Sequence, residues 1–231
     1  MKENDVFKIR VLQLRPTQFA VGMLEVDQKI KDVRKLKKSK LNKYLKENVV
    51  PVVCGPDEEL YVVDKHHFLL VCHSVGVRKV WVTVVKDLRG RKITFLQFWK
   101  WMLKTRNTYP YCQFGEGPRK PYYLPHDIRG LADDPYRSIA WFVRKAGGYE
   151  NTDLNFAEFE WANFFRSKNL LDREGIAGLT KAAERALKIA RTPAAKNLPG
   201  YIGHKKGQAP APQIKELAKR VRKAAVDAGQ S

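Results

Sequence analysis

Asp64-Lys65-His66-His67 places a carboxylate, a fixed cation and two titratable imidazoles at consecutive positions, just after the apolar run Leu60-Tyr61-Val62-Val63. The run reads as a strand, and the apolar residues that follow the box read as a helix. The box therefore falls at a strand-to-helix junction. The start of a helix carries unpaired N–H groups and partial positive charge, which favour an anion and suit phosphate well. Asp64 has three chemical options there: it can cap the helix, hold Mg2+, or activate a hydroxyl. Neighbouring residues on a helix diverge by roughly 100°, so His66 and His67 do not grip one atom together. One faces a ligand, and the other packs or donates a proton.

A second candidate is electrostatic. From Leu24 onward Val26, Ile30, Val33 and Leu36 recur at helical spacing, while Lys29, Lys31, Arg34, Lys35, Lys37 and Lys38 fill most of the remaining positions. Such a basic helix attracts phosphate backbones without reading sequence. The whole chain supports that expectation, since 231 residues carry a formal charge of +20. Nucleic acid, nucleotides and anionic membranes are the partners such a surplus selects.

The elements that must position these groups follow from periodicity. Val11 to Leu14 reads as a short strand halted by Arg15-Pro16. The basic helix follows, then a helix through Leu41, Tyr44 and Leu45 with Ser39 as its cap. Val49 to Val53 and Leu60 to Val63 make a hairpin across Gly55-Pro56-Asp57-Glu58, with Pro51 marking an edge strand or an early strand position. Phe68, Leu69, Cys72 and Val75 lie on a helix that Gly76 ends, and Val80 to Val85 is a buried strand. Beyond Arg89 the chain turns helical, with aromatic-rich stretches at 95–103, 136–145 and 156–166, and an alanine-rich one at 176–191. Phe156, Phe159, Trp161, Phe164 and Phe165 are read as core. Residues 107–125, rich in Pro, Gly and Tyr, are read as loop. Gly200 to Pro212 reads as a linker, and a basic tail helix carries Lys215, Lys219, Arg220, Arg222 and Lys223.

Other chemistries rank low. Cys72, His66, His67 and His73 lack the paired spacing of a zinc site. Gly115-Glu116-Gly117 follows no clear strand, and His126 and His204 sit in loops without sequence partners, so none receives a role. No stretch reaches the roughly 20 apolar residues that span a bilayer, and the first residues lack the apolar core of a signal peptide. Cys54, Cys72 and Cys112 are odd in number and set in mostly apolar surroundings, as reduced core thiols are. A cytoplasmic location is expected.

Arg15-Pro16-Thr17-Gln18, then Val21-Gly22-Met23 with Glu25-Val26, then Tyr61-Val62-Val63-Asp64 with His66-His67, resemble the ParB-like nuclease family. The order of strand, basic helix, hairpin and box is also similar to the wider ParB/sulfiredoxin superfamily. The resemblance implies an α/β (α+β) fold: a small mixed-sheet domain over 1–90, a mainly helical region over 91–200 packed on it, and the linker and tail over 201–231. Members of the superfamily use the equivalent box for nucleotides: CTP in partition proteins, ATP in sulfiredoxins, ATP or ADP in free-serine kinases.

By that resemblance Lys65, His66, His67 and Gln18 would hold a nucleoside triphosphate, ATP or CTP, with Mg2+ on Asp64. Glu25, His66, His67 and Asp64 would be the catalytic set, with Glu25 the counterpart of the acidic base that the kinases place before their first helix. The kinase box Asp-Gly-His-His-Arg maps onto Asp64 to Phe68, with Lys65 standing for the glycine and Phe68 for the arginine. No cysteine in the box matches the sulfiredoxins, and no helix-turn-helix matches the partition proteins. The readings left open are a nuclease or nucleoside triphosphatase acting on nucleic acid, a small-molecule kinase, and a non-enzymatic DNA-binding module.

Overall fold

The computed structural model describes residues 2–171, 175–203, 218–224 and 226. The linker beyond residue 203, His204, Lys215 and the side chain of Ile176 lie outside the described residues. The fold is mixed α/β, as expected, and the chain divides into two compact units. The first comprises residues 1–21 and 29–132, the second residues 22–28 and 133–231.

The first unit is built on a five-stranded mixed sheet. Its strands are β1 (Val6–Arg10), β2 (Leu14–Arg15), β3 (Val50–Cys54), β4 (Leu60–Val62) and β5 (Lys79–Asp87), in the order β1-β5-β3-β4-β2. β5 runs antiparallel to β1 and parallel to β3, and β4 runs antiparallel to β3 and parallel to β2. β1 escaped the sequence reading, which began the first strand at Val11. Its outward residues Val6, Lys8 and Arg10 are exposed, and a half-charged five-residue edge strand gives a weak apolar signal. Val11–Gln13 is a 3-10 turn, and the strand resumes only at Leu14.

Pro51 lies in a central strand rather than at an edge. As the second residue of β3 it lacks only a donor, and its carbonyl still accepts from Val63 N at 3.1 Å. Residues Val50, Val52, Val53, Val62, Val80, Val82 and Val84 are completely buried, but along β5 they alternate with the half-buried Trp81 and Thr83 and the exposed Val85, so this strand has one buried face rather than the continuous burial its apolar run predicts.

Helix α1 (Met23–Arg34) begins in the second unit and ends in the first; α2 (Lys38–Glu47), α3 (His66–Ser74) and α4 (Phe95–Lys104) belong to the first. Ser39 lies inside α2 rather than capping it, because the chain already turns helical at Lys38. Tyr44 of α2 meets Phe68 of α3 with ring centroids 5.5 Å apart. α4 starts on a reciprocal capping box, Thr94 with Gln97, and packs Phe98, Trp99 and Met102 against Val53, Tyr61 and Val63 of the sheet.

The second unit is a helical cluster of α5 (Pro135–Lys145), α6 (Ala157–Ser167) and α7 (Gly175–Ala190). Ala182, Ala183, Ala186 and Ala190 are completely buried, so this face of α7 lets its neighbours approach closely. Trp161 stacks on Tyr149 with centroids 4.1 Å apart and planes 11° from parallel. The aromatic stripe of α6 is core at Phe159, Trp161 and Phe165. Val221 and Ala224 of the helical stretch 218–224 join that core, while Lys219, Arg220, Arg222 and Lys223 are exposed. Among the described residues no helix is long and apolar enough to cross a membrane.

Candidate phosphate site at the Asp64 junction

The predicted junction forms in the first unit. β4 ends at Val62, and α3 begins at His66 with Lys65 as its N-cap residue. No side chain caps this helix. Asp64 is exposed, and its Oδ1 accepts from Lys65 N at 2.6 Å; its other oxygen has no partner among the described residues. Lys65 adopts φ +68° and ψ 27°, the left-handed conformation in which a glycine is at ease and a lysine is strained. The backbone here has the conformation that favours glycine, and the lysine adds an ammonium. That ammonium donates to Asn48 Oδ1 at 3.1 Å, at the end of α2.

The two histidines separate as helix geometry demands. His66 is 2% exposed, and its Nε2 accepts from Thr17 N at 3.2 Å. Burial depresses its pKa to about 3, so it is a neutral imidazole with its proton on Nδ1. It has neither the charge nor the access to contact a phosphate, and it acts instead as a positioning residue. His67 is half-buried.

Thr17 ties the first motif to the second. Its Oγ1 donates to Val62 O at 2.5 Å, its N–H holds His66, and its carbonyl accepts from Thr108 Oγ1 at 2.8 Å and Tyr109 N at 2.9 Å. Sequence reasoning quoted Thr17 only as part of Arg15-Pro16-Thr17-Gln18 and missed Thr108 altogether. A threonine beside proline was the available signal, since a short hydroxyl side chain commonly bonds nearby backbone. Gln18, expected at the nucleotide, is 3% exposed and spends its amide on Ala20 O at 2.6 Å, so its donor shapes the loop.

Glu25 has a different setting. It is 3% exposed in the second unit, and its Oε2 lies 3.2 Å from Arg137 Nη1. Arg137 also contacts Glu158, which in turn receives Arg144 Nε at 2.5 Å. Burial disfavours the Arg137 charge, but Glu158 and Glu25 outweigh it and raise its pKa. A general base must reach the proton it takes. Glu25, buried and ion-paired, is a structural anion.

The basic helix ends at Arg34, short of the Leu36 its spacing predicts, so Lys35 to Lys37 lie between α1 and α2, and Lys38 opens α2. Arg34, Lys35, Lys37 and Lys38 are exposed and have no carboxylate partner among the described residues; Lys29 is half-buried. α2 runs from this corner to Asn48, where Lys65 is held, and ten helical residues span about 15 Å.

Residues 7–167 match the model of the family described as "Putative ParB-like nuclease". The chain belongs to the ParB-like nuclease family. A similar solved structure is the crystal structure of protein Atu1540 from Agrobacterium tumefaciens, 34% identical with a TM-score of 0.76, covering 89% of this chain and 100% of that one. No curated protein matches the chain.

As a cation site, this ParB-like junction offers one open carboxylate. No group of three or more His, Cys, Asp or Glu side chains among the described residues could hold a metal. A lone carboxylate fits Mg2+ already carried by a polyphosphate, which needs one or two protein oxygens and keeps its waters. It does not fit a bare ion.

Proposed function

We propose that the chain is a phosphate-handling protein that acts on or binds nucleic acid, with the Asp64–His67 junction as its nucleotide site. The observation that carries this reading is the uncapped start of α3, where a left-handed Lys65 is followed by the half-buried His67 and preceded by an exposed Asp64. The family name points the same way. A nucleoside triphosphate, ATP or CTP, would bring Mg2+ to Asp64. Its phosphates would meet the N–H groups of α3, the Lys65 ammonium and the His67 ring. His66 would hold the loop at Thr17 in register with the helix. Arg34, Lys35, Lys37 and Lys38 would supply the track for a nucleic-acid backbone, by charge rather than by base readout.

A second reading, transfer of phosphoryl to a small alcohol, draws support from the glycine-like backbone at Lys65, the position that corresponds to the glycine of the kinase box. The base that the resemblance assigns, Glu25, is engaged by Arg137, which leaves Asp64 as the open carboxylate for that role. A non-enzymatic DNA-binding module keeps the basic track and uses the junction as a switch.

Calorimetric titration with ATP, CTP, GTP and ADP in Mg2+ tests the site, alongside Asp64→Asn and His67→Ala. Binding that weakens about tenfold or more in each variant supports it. No heat with any nucleotide up to millimolar concentration in the native chain removes the nucleotide readings. Cleavage assays on plasmid and oligonucleotide substrates then separate nuclease from binding module.

A further inference from the structure

The loop after α4 carries three exposed aromatic residues, none of them part of the Asp64 junction. Phe114 is 63% exposed, Tyr122 60% and Tyr123 65%. Soluble proteins expose single apolar residues freely, but neighbouring aromatics on one loop mark a contact surface. Their backbone is set. Pro121–Tyr123 is a 3-10 turn whose first residue fixes its own φ, closed by Tyr123 N to Lys120 O at 3.1 Å and Leu124 N to Pro121 O at 3.0 Å. The two tyrosine rings lie 4.4 Å apart between centroids and are tilted 51°, so they do not cover each other face to face. Lys120 Nζ stands 5.7 Å from the centre of the Tyr122 ring.

Tyr123 also borders a depression of about 630 Å3, with Phe19, Arg119, His126 and Arg129 among its lining residues. Arg15, from the Arg15-Pro16-Thr17-Gln18 motif, donates to the His126 carbonyl at 3.3 Å. Two acids lie in this patch: Asp127 neutralises Arg129, and Glu116 stands 3.7 Å from Arg119. Arg15 and Lys120 have no carboxylate partner among the described residues, so the patch keeps a net positive charge.

We propose that this surface binds single-stranded nucleic acid, with unstacked bases on the faces of Tyr122 and Tyr123 and the backbone drawn by Arg15, Arg119 and Lys120. The inference rests on the nucleic-acid reading above and sharpens it. Ring faces reward only bases whose own faces are open, which a duplex does not offer, whereas cations attract both forms. Rigid aromatics lose little conformational freedom on binding, and stacking tolerates any base. The depression beside Tyr123 has the size of a small-ligand cleft.

The test is fluorescence anisotropy of a labelled oligothymidylate and a labelled hairpin duplex with the full chain at fixed salt. The native chain is compared with Tyr122→Leu/Tyr123→Leu and with Tyr122→Phe/Tyr123→Phe. The leucine pair is expected to weaken single-strand binding about tenfold to a hundredfold, leave duplex binding and its salt dependence unchanged, and retain native circular dichroism. The phenylalanine pair should bind like the native chain. Equal loss on both nucleic acids, or no loss on the single strand, overturns the proposal while the broader nucleic-acid reading stands. Binding of neither by the native chain overturns both.

Discussion

The Asp64 junction and the α5–α6 cluster use the same residue types to opposite ends. In the second unit acids and bases are buried or half-buried as partners: Glu25 with Arg137, Arg137 with Glu158, Glu158 with Arg144, and Asp134 with Arg166 at 2.7 Å. In the first unit Asp64 is exposed with one oxygen uncommitted, Lys65 is strained, and α3 has no side-chain cap. Buried charge must be compensated within the fold, or its desolvation is uncompensated. Charge left open at a helix start is compensated by whatever binds. A carboxylate marked as catalytic by its place in a motif can therefore be structural, as Glu25 is.

The largest effect that would break this contrast is in the closed network. Arg137→Met takes the cation from buried Glu25 and leaves Glu158 to Arg144 alone, and is expected to cost about 3–5 kcal/mol in urea unfolding, with part regained when both glutamates become glutamine. A loss under about 1 kcal/mol would mean the network is not sealed.

His66 sharpens the comparison through pH. Its folded pKa of about 3 lies below the unfolded value of about 6.5, so its stabilising contribution is complete above pH 6.5 and is lost as pH falls toward 3. The expected slope is about 1.4 kcal/mol per pH unit in that window. His66→Gln can still accept from Thr17 without titrating, and should flatten the curve. An unchanged slope would show that His66 is reached by protons in the folded state.

Gly22→Ala places a Cβ 2.8 Å from Ser138 N on α5, a backbone clash expected to cost about 1–3 kcal/mol by thermal unfolding. Retained stability would mean that the start of α1 can shift away from α5. The smallest effect belongs to the open site. Lys65→Gly relieves the left-handed strain and should hold stability within about 1 kcal/mol of native, while weakening polyphosphate binding in calorimetry. If binding is unchanged, the backbone alone makes the site.

Much of this was legible in the amino-acid order. The periodicities of α1, α3 and β5, and the strand-to-helix position of Asp64, follow from the side chains of those segments, because helix and strand repeats are local. So does the divergence of His66 and His67, which helix pitch imposes. Which histidine is buried was not legible, since that depends on Thr17 arriving from the loop after β2. Glu25 is claimed by Arg137, far along the chain, and no local pattern announces an ion pair closed by tertiary packing. The left-handed φ of Lys65 shows the same division. The sequence names a lysine, but the junction between β4 and α3 holds it in a conformation that lysine does not favour by itself. Local repeats set the elements; long-range burial decided which of their polar groups stay available for a ligand.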